Sequence, residues 1–198
     1  MAGHNVTGTY NKRSTICNKL EEMGVTLFRC DLSKVDSIDA TASLICGKVK
    51  WNVAVFCAGT LEPVGPFLTC DFEEWKEAID INFLGQIRLL KNIMSSRDLV
   101  DQAIPRVLFF AGGGTNNAND NFSSYTVSKI ALIKMCELLD SEIPDTCFTI
   151  LGPGWVRTKI HEEVFKAGKK AGTALAKTTE AFENDKFYPM GDLMRCCD

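Results

Sequence analysis

Arg106-Val-Leu-Phe-Phe-Ala-Gly-Gly-Gly114 and, one loop later, Ser123-Ser-Tyr-Thr-Val-Ser-Lys129 are the stretches on which the fold turns. The first is an apolar run that stops at three glycines, the pattern of a buried strand entering a tight turn. The second opens a helix that runs to about Leu139. The same alternation repeats outward. Toward the N-terminus, Asn52 to Cys57 is a compact apolar strand bounded by Gly59, and residues 33–49 before it read as a helix. Val25 to Cys30 is a strand closed by Asp31, Ser14 to Met23 a helix stopped by Gly24, and His4 to Tyr10 a short strand. Residues 60–70, with Pro63, Gly65 and Pro66, form a loop. Asp71 then caps a long helix to about Met94, with Glu74 completing a capping box. On the C-terminal side, Cys147 to Leu151 is a strand ending at Gly152-Pro153-Gly154, and the remainder is helical or loose.

Apolar strands alternating with helices predict an α/β fold: a doubly wound, Rossmann-like parallel sheet with helices on both faces and ligands at the carboxyl ends of its strands. With 198 residues the chain suits one domain, residues 1–198. Hydrophobic residues at 45% and charged residues at 24% support an ordinary core. The net charge of -3 and the lack of a long basic run argue against nucleic acid as a partner. Nine cysteines without a C-x-x-C pair, and with only two histidines, give no metal-ligand spacing. Several sit in apolar runs, Cys57 among them, and read as buried, reduced thiols of a cytoplasmic protein. No signal-peptide or membrane-spanning run is visible.

Tyr125 and Lys129 carry the sharpest chemical signal. A spacing of four brings both side chains to one helix face. A free tyrosine ionises near pH ~10, too high for acid–base work at neutrality. A nearby ammonium favours the phenolate, and a drop of ~2–3 units needs ~3–4 kcal/mol of differential interaction. Tyrosine then passes a proton to or from a substrate oxygen. The pair alone is weak evidence; its place after a strand ending in glycines strengthens it.

Four more elements fall in order around the pair: Asp31-Leu32 after a strand, Ala58-Gly59 after another, Asn82 within Asp80-Ile-Asn-Phe-Leu-Gly85, and Pro153-Gly-Trp-Val-Arg-Thr158. Together the five resemble the short-chain dehydrogenase/reductase family over nearly the whole chain. The resemblance implies an NAD(P)-dependent oxidoreductase. Tyr125 would exchange the proton, and Lys129 would lower its pKa and hold the nicotinamide ribose. Asn82 would hold a relay water through its backbone. Asp31 and Leu32 would meet the adenine, Ala58 and Gly59 would form the family's turn, and Pro153, Gly154, Val156 and Thr158 would hold the nicotinamide. Each has a plainer reading. Asn82 could satisfy buried backbone groups beside a kink, Asp31 could cap the next helix, Thr158 could cap the helix entering His161, and His161 reads as a lid or surface residue.

The chain also departs from the family pattern. The family's first strand and its T-G-x-x-x-G-x-G loop, which receives the pyrophosphate on backbone amides, have no counterpart, so a sheet with a gap is expected. The family's serine falls at Gly112, or at Ala111 if the loop is one residue longer, and Thr115 is a candidate substitute. One lost polarising donor is worth roughly 2–4 kcal/mol. The family's N-N-A-G reads Phe56-Cys-Ala-Gly59. The sequence ends at Cys196-Cys-Asp198, where the family adds a strand that serves its oligomers.

No acid follows the first strand. Tyr10-Asn-Lys12-Arg13 there favours NADP(H) over NAD(H), the plainer reading of Lys12 and Arg13 being a solvated helix start. Residues 159–190 are the expected substrate lid over a small-molecule site, with a homo-oligomer implied by the family and no membrane association. A non-catalytic Rossmann-like binding protein is the competing reading. A sugar-nucleotide epimerase or dehydratase fits the length less well.

Overall fold

A computed structural model describes residues 3–100, 103–189 and 191. Five parallel strands alternate with helices: β1 (Thr7–Tyr10), α1 (Thr15–Glu22), β2 (Thr26–Arg29), α2 (Val35–Cys46) and β3 (Val53–Phe56). Then follow α3 (Phe72–Ile79), α4 (Gly85–Ile93), β4 (Arg106–Phe110), α5 (Ser123–Glu142), β5 (Cys147–Leu151), α6 (Ile160–Ala167) and α7 (Thr173–Glu183). Gly24 closes α1 in a left-handed conformation, φ +89°, which costs a glycine little because it lacks a Cβ.

The strands form two half-sheets, β1-β2 and β3-β4-β5, parallel throughout. Among the described residues no strand joins β1 to β3. The apolar run of β3 therefore keeps an open side: Val53 and Val55 are 55% and 52% exposed, where a strand covered on both faces would bury both. One core nevertheless runs under both half-sheets, from Phe28, Cys30 and Ile38 on one side to Phe56, Phe109 and Phe148 on the other. The helices tie the halves together. Arg88 on α4 donates to both oxygens of Asp39 on α2, at 2.8 and 2.6 Å, and Asn92 adds a third bond at 2.7 Å. Trp51 Nε1 donates to the Ile93 carbonyl at 2.9 Å, which lets a large buried indole keep its polar edge satisfied.

Three local expectations change. The long helix after Asp71 is interrupted: Asp80–Leu84 form a π-helical turn between α3 and α4. One wider turn rotates Asn82 inward, and Gln86 Nε2 holds the widened backbone by donating to the carbonyls of Asn82 at 2.7 Å and Ala58 at 3.1 Å. Asp71 does cap α3, its Oδ1 accepting from Glu73 N and Glu74 N. Thr158 does not cap the next helix; Lys159 occupies that place and has no side-chain cap bond. The cysteines divide. Cys17, Cys30 and Cys136 are buried, but Cys57 is exposed, because it leaves the sheet at the carboxyl end of β3 rather than within it.

No helix among the described residues is long and apolar enough to cross a membrane. No cluster of three potential metal ligands occurs among them. The chain end at Cys196 to Asp198 lies outside the described residues.

Candidate active site

The carboxyl ends of β3 and β4 bring four predicted residues together. Gly59 follows β3, Asn82 sits on the π turn, and Tyr125 and Lys129 lie on the first turns of α5. A Cβ on Gly59 would stand 3.3 Å from Asn82 Oδ1 and 3.8 Å from Lys129 Nζ, so this glycine is where the asparagine and lysine converge. Asn82 is fully buried. Its Oδ1 accepts from Thr60 N at 2.8 Å and its Nδ2 donates to Thr60 O at 2.9 Å. The side chain thus fixes the loop after β3, as the plainer reading held. The backbone carbonyl expected to hold a water accepts from Gln86 Nε2 at 2.7 Å, a bond that uses one of its two lone pairs. Asn82→Ala leaves two part-buried backbone groups of Thr60 without their partner. It is expected to cost about 2–3 kcal/mol, read by chemical denaturation.

Tyr125 and Lys129 are both buried, 9% and 4% exposed. The electrostatics run opposite to the sequence expectation. Burial, followed by the charge of Glu163, pushes the Tyr125 phenol up to about 12. Burial pushes the Lys129 ammonium down to about 8, with Cys57 opposing. The reason is geometric. Lys129 Nζ donates to the Phe110 carbonyl at 2.9 Å and lies 5.7 Å from the Tyr125 ring centroid. In this arrangement desolvation of the phenolate outweighs the distant cation.

Gly112 borders the tyrosine directly. A Cβ there would come within 2.4 Å of Tyr125 Oη, so the hydroxyl fills the space a side chain at 112 would enter. Ala111 supplies no hydroxyl and its N–H donates to Leu151 O at 3.0 Å. Thr115 Oγ1 donates back to Gly112 O at 3.3 Å, which commits it to its own loop.

The remaining predicted residues spread around this centre. Asp31 does not cap α2, whose N-cap position is Lys34; its Oδ1 accepts from Ser33 N at 3.0 Å and Ser33 Oγ at 2.8 Å in the turn ahead of that helix. Desolvation, the largest single effect, opposes its ionisation, but the Ser33 bonds together with the charges of Lys34 and Arg29 hold the carboxyl below its usual range. Leu32 presents its carbonyl to Gly85. Ala58 lends its carbonyl to Gln86. Arg13 pairs with Glu21 and Asn18, whereas Lys12 lines a cavity of about 730 Å³ with Thr60, Glu74, Ile81 and Lys166. Neither Tyr125 nor Lys129 lines that cavity. Gly154 is left-handed, φ +66°, against the Tyr188 ring. Val156 is buried and its carbonyl meets His161 Nε2 at 3.0 Å, while Thr158 is exposed.

The segment expected to form a lid carries an aromatic cluster. His161 stacks on Trp155 at 5.5 Å and meets Phe182 and Phe187 edge-on. Arg157 lies over Phe182 at 4.8 Å. Two residues escaped the sequence reading: Glu163, whose carboxylate binds the Leu61 and Thr60 donors, and Gln86. A lone glutamate in a helix gives no pattern to find. The signal for Gln86 is its place four residues past Asn82, on the same helix face.

A doubly wound parallel α/β chain with a Tyr–Lys helix at the sheet's carboxyl edge defines a Rossmann-type fold of the dehydrogenase kind. The chain belongs to the short chain dehydrogenase family, whose model matches residues 3–169. Among curated proteins it is 24% identical over 115 residues to an uncharacterized oxidoreductase of Schizosaccharomyces pombe. The match covers 58% of the chain and 45% of that protein, so the chain spans about half the length of the curated relative it matches. Solved structures share the fold. The KRED1-Pglu enzyme has a TM-score of 0.80 at 23% identity, covering 94% of this chain and 79% of that one. A short chain dehydrogenase/reductase from Saccharomyces cerevisiae has a TM-score of 0.81 at 20% identity, covering 94% and 75%. One from Shigella flexneri, complexed with NADP, has a TM-score of 0.71 at 20% identity, covering 82% and 71%.

Proposed function

We propose that the chain is an NAD(P)(H)-dependent oxidoreductase acting on a carbonyl or alcohol, with Tyr125 as the acid–base group and NADP(H) preferred. The observation that carries this reading is the convergence of Gly59, Asn82, Tyr125 and Lys129 at the carboxyl ends of β3 and β4. The residues on this side fit a nicotinamide nucleotide. Bare Gly59 leaves room beside a buried ammonium, and Gly154 and Val156 sit at the end of β5 as the family's nicotinamide segment would. On the phosphate side Lys12 is the available cation at the end of β1, Arg13 being held by Glu21. When bound, the nucleotide supplies or accepts the hydride. Tyr125 moves the proton at the substrate oxygen. Lys129 would hold the nicotinamide ribose on release from the Phe110 carbonyl, and its charge would then favour the phenolate. Asn82 keeps the Thr60 loop fixed, and the aromatic lid excludes water. The substrate is a small molecule, taken in a reducing, cytoplasmic setting.

The competing reading is a non-catalytic binding protein. It draws support from the absence of a hydroxyl donor at 111 and 112 and from the upward-shifted phenol. A panel of ketones and aldehydes offered with NADPH separates the two, followed by loss of reduced-nicotinamide absorbance. The enzyme reading expects turnover that drops ~10²–10⁴-fold in Tyr125→Phe. Turnover indifferent to that substitution refutes the role of Tyr125.

A further inference from the structure

The segment after α7 folds back on the segment after β5 and leaves a cleft of about 390 Å³. Trp155, Phe187 and Tyr188 line it, with Ala181 of α7. Gly59, Tyr125 and Lys129 do not, so the cleft stands apart from the centre described above. Its walls are tied to one another. Tyr188 N donates to Trp155 O at 2.7 Å, and Lys186 N donates to Ala181 O at 2.9 Å. The Tyr188 ring lies so close to Gly154 that a Cβ there would come within 2.8 Å of it. Trp155 is backed by His161, stacked at 5.5 Å and 14°, and Phe187 by Phe182 at 4.9 Å. Neither His161 nor Phe182 lines the cleft. Trp155 and Tyr188 remain 38% and 63% exposed, so two large rings held in place keep open surface.

Three charged side chains complete the lining. Glu180 and Lys186 pair with each other at 2.6 Å. Lys177, three residues before Glu180 on α7, has no ion-pair partner among the described residues. The cleft therefore carries one uncompensated positive charge. Open aromatic rings favour a planar aromatic guest, because offset stacking adds to the area buried. A free ammonium at the rim favours an anion. An aliphatic anion forgoes the rings, and an aromatic cation is repelled by Lys177. The volume lies in the range of small-molecule pockets and suits one or two rings.

We propose that this cleft is a second binding site, for a planar aromatic carboxylate, with the ring against Trp155 and Tyr188 and the carboxylate at Lys177. No covalent step is involved. The proposal does not depend on the nicotinamide reading, because none of the residues that carry that reading's convergence lines the cleft.

The probe is 2-naphthoate, added to the full chain without nucleotide. The chain has three tryptophans, and their indole N–H resonances report separately on the cleft (Trp155) and on two sites elsewhere (Trp51 and Trp75). The Trp155 resonance is expected to shift saturably with a Kd of about 0.1–1 mM, as a two-ring ligand allows, while the other two stay in place. Tyr188→Ala removes one stacking face and should weaken binding about three- to tenfold. Lys177→Gln should weaken it about two- to fivefold, the size of an exposed ion pair. The neutral analogue 2-naphthylmethanol should bind the parent more weakly by that same factor, and the two probes should bind Lys177→Gln alike. Both side chains are exposed, so neither substitution threatens the fold. A Trp155 resonance unmoved at ~5 mM naphthoate overturns the proposal, since that bounds the affinity below any specific site of this size. Equal binding of the neutral analogue to the parent overturns the anion, and Trp75 shifting in step with Trp155 shows general apolar adsorption instead of a site. Displacement of naphthoate by NADPH makes the cleft part of a nucleotide site and overturns its separateness.

Discussion

Gly85→Ala is expected to destabilise the protein by about 3 kcal/mol, lowering its unfolding temperature by roughly 10 °C. Gly85 opens α4 where the π turn meets the loop after β2. A Cβ there would lie 2.2 Å from the Leu32 carbonyl oxygen, 3.0 Å from its carbon and 2.9 Å from the Asp80 carbonyl oxygen. All three are backbone atoms, so no side chain can swing aside. Relief requires α4 to lift away from the Leu32 turn, which strains the bonds that Arg88 and Asn92 make to Asp39. Those bonds and the shared core are what hold the two half-sheets together. Gly113→Ala is the control: its Cβ would meet nothing within 4 Å, and it should stay within about 0.5 kcal/mol of the parent. Calorimetry on both variants checks the pair. A Gly85→Ala protein as stable as the parent contradicts the close approach of the π turn to β2's loop.

Lys129→Met is expected to stabilise the protein by roughly 2 kcal/mol at neutral pH while abolishing function. The lysine is 4% exposed and its ammonium is pushed down to about 8 by burial. Against an unfolded value near ~10.5, that shift corresponds to roughly 3 kcal/mol of cost at pH 7, part of which the Phe110 bond offsets in the opposite sense when it is lost. The sign follows from proton binding. Between about 8 and ~10.5 the unfolded chain holds the proton that the folded chain has released, so stability contributed by this site rises with pH. Tyr125 acts oppositely. Between ~10 and about 12 the folded chain keeps a proton the unfolded chain has lost, so its contribution falls as pH rises. Denaturation curves of parent and Lys129→Met between pH 7 and about 10 should converge as pH rises. A variant less stable than the parent at pH 7 shows that the lysine is held by stabilising contacts rather than tolerated for its chemistry.

Sequence pattern reached the strands well because each is a short apolar run ending at glycine or a polar turn, as Arg106–Phe110 ends before Gly112. It reached the convergence of Gly59, Asn82, Tyr125 and Lys129 because their order along alternating strands and helices puts them at one end of the sheet. It missed the π turn at Asp80–Leu84, since a one-residue widening leaves helical periodicity on both sides intact. The direction of the Tyr125 shift was also out of reach. Spacing of four places Lys129 on the same face, but the Phe110 carbonyl, brought in by β4, captures its ammonium. Glu163 and the loop it clasps are about a hundred residues apart, and only the packing of α6 against that loop joins them.

In the proposed function, residues around Gly59 and Lys129 hold a nicotinamide nucleotide. Titration of the 198-residue chain with NADPH and then NADH, following reduced-nicotinamide fluorescence, tests it most directly. Saturable binding in the micromolar range, tighter for NADPH and weakened in Lys129→Met, is the predicted result. A folded chain that binds neither nucleotide contradicts it.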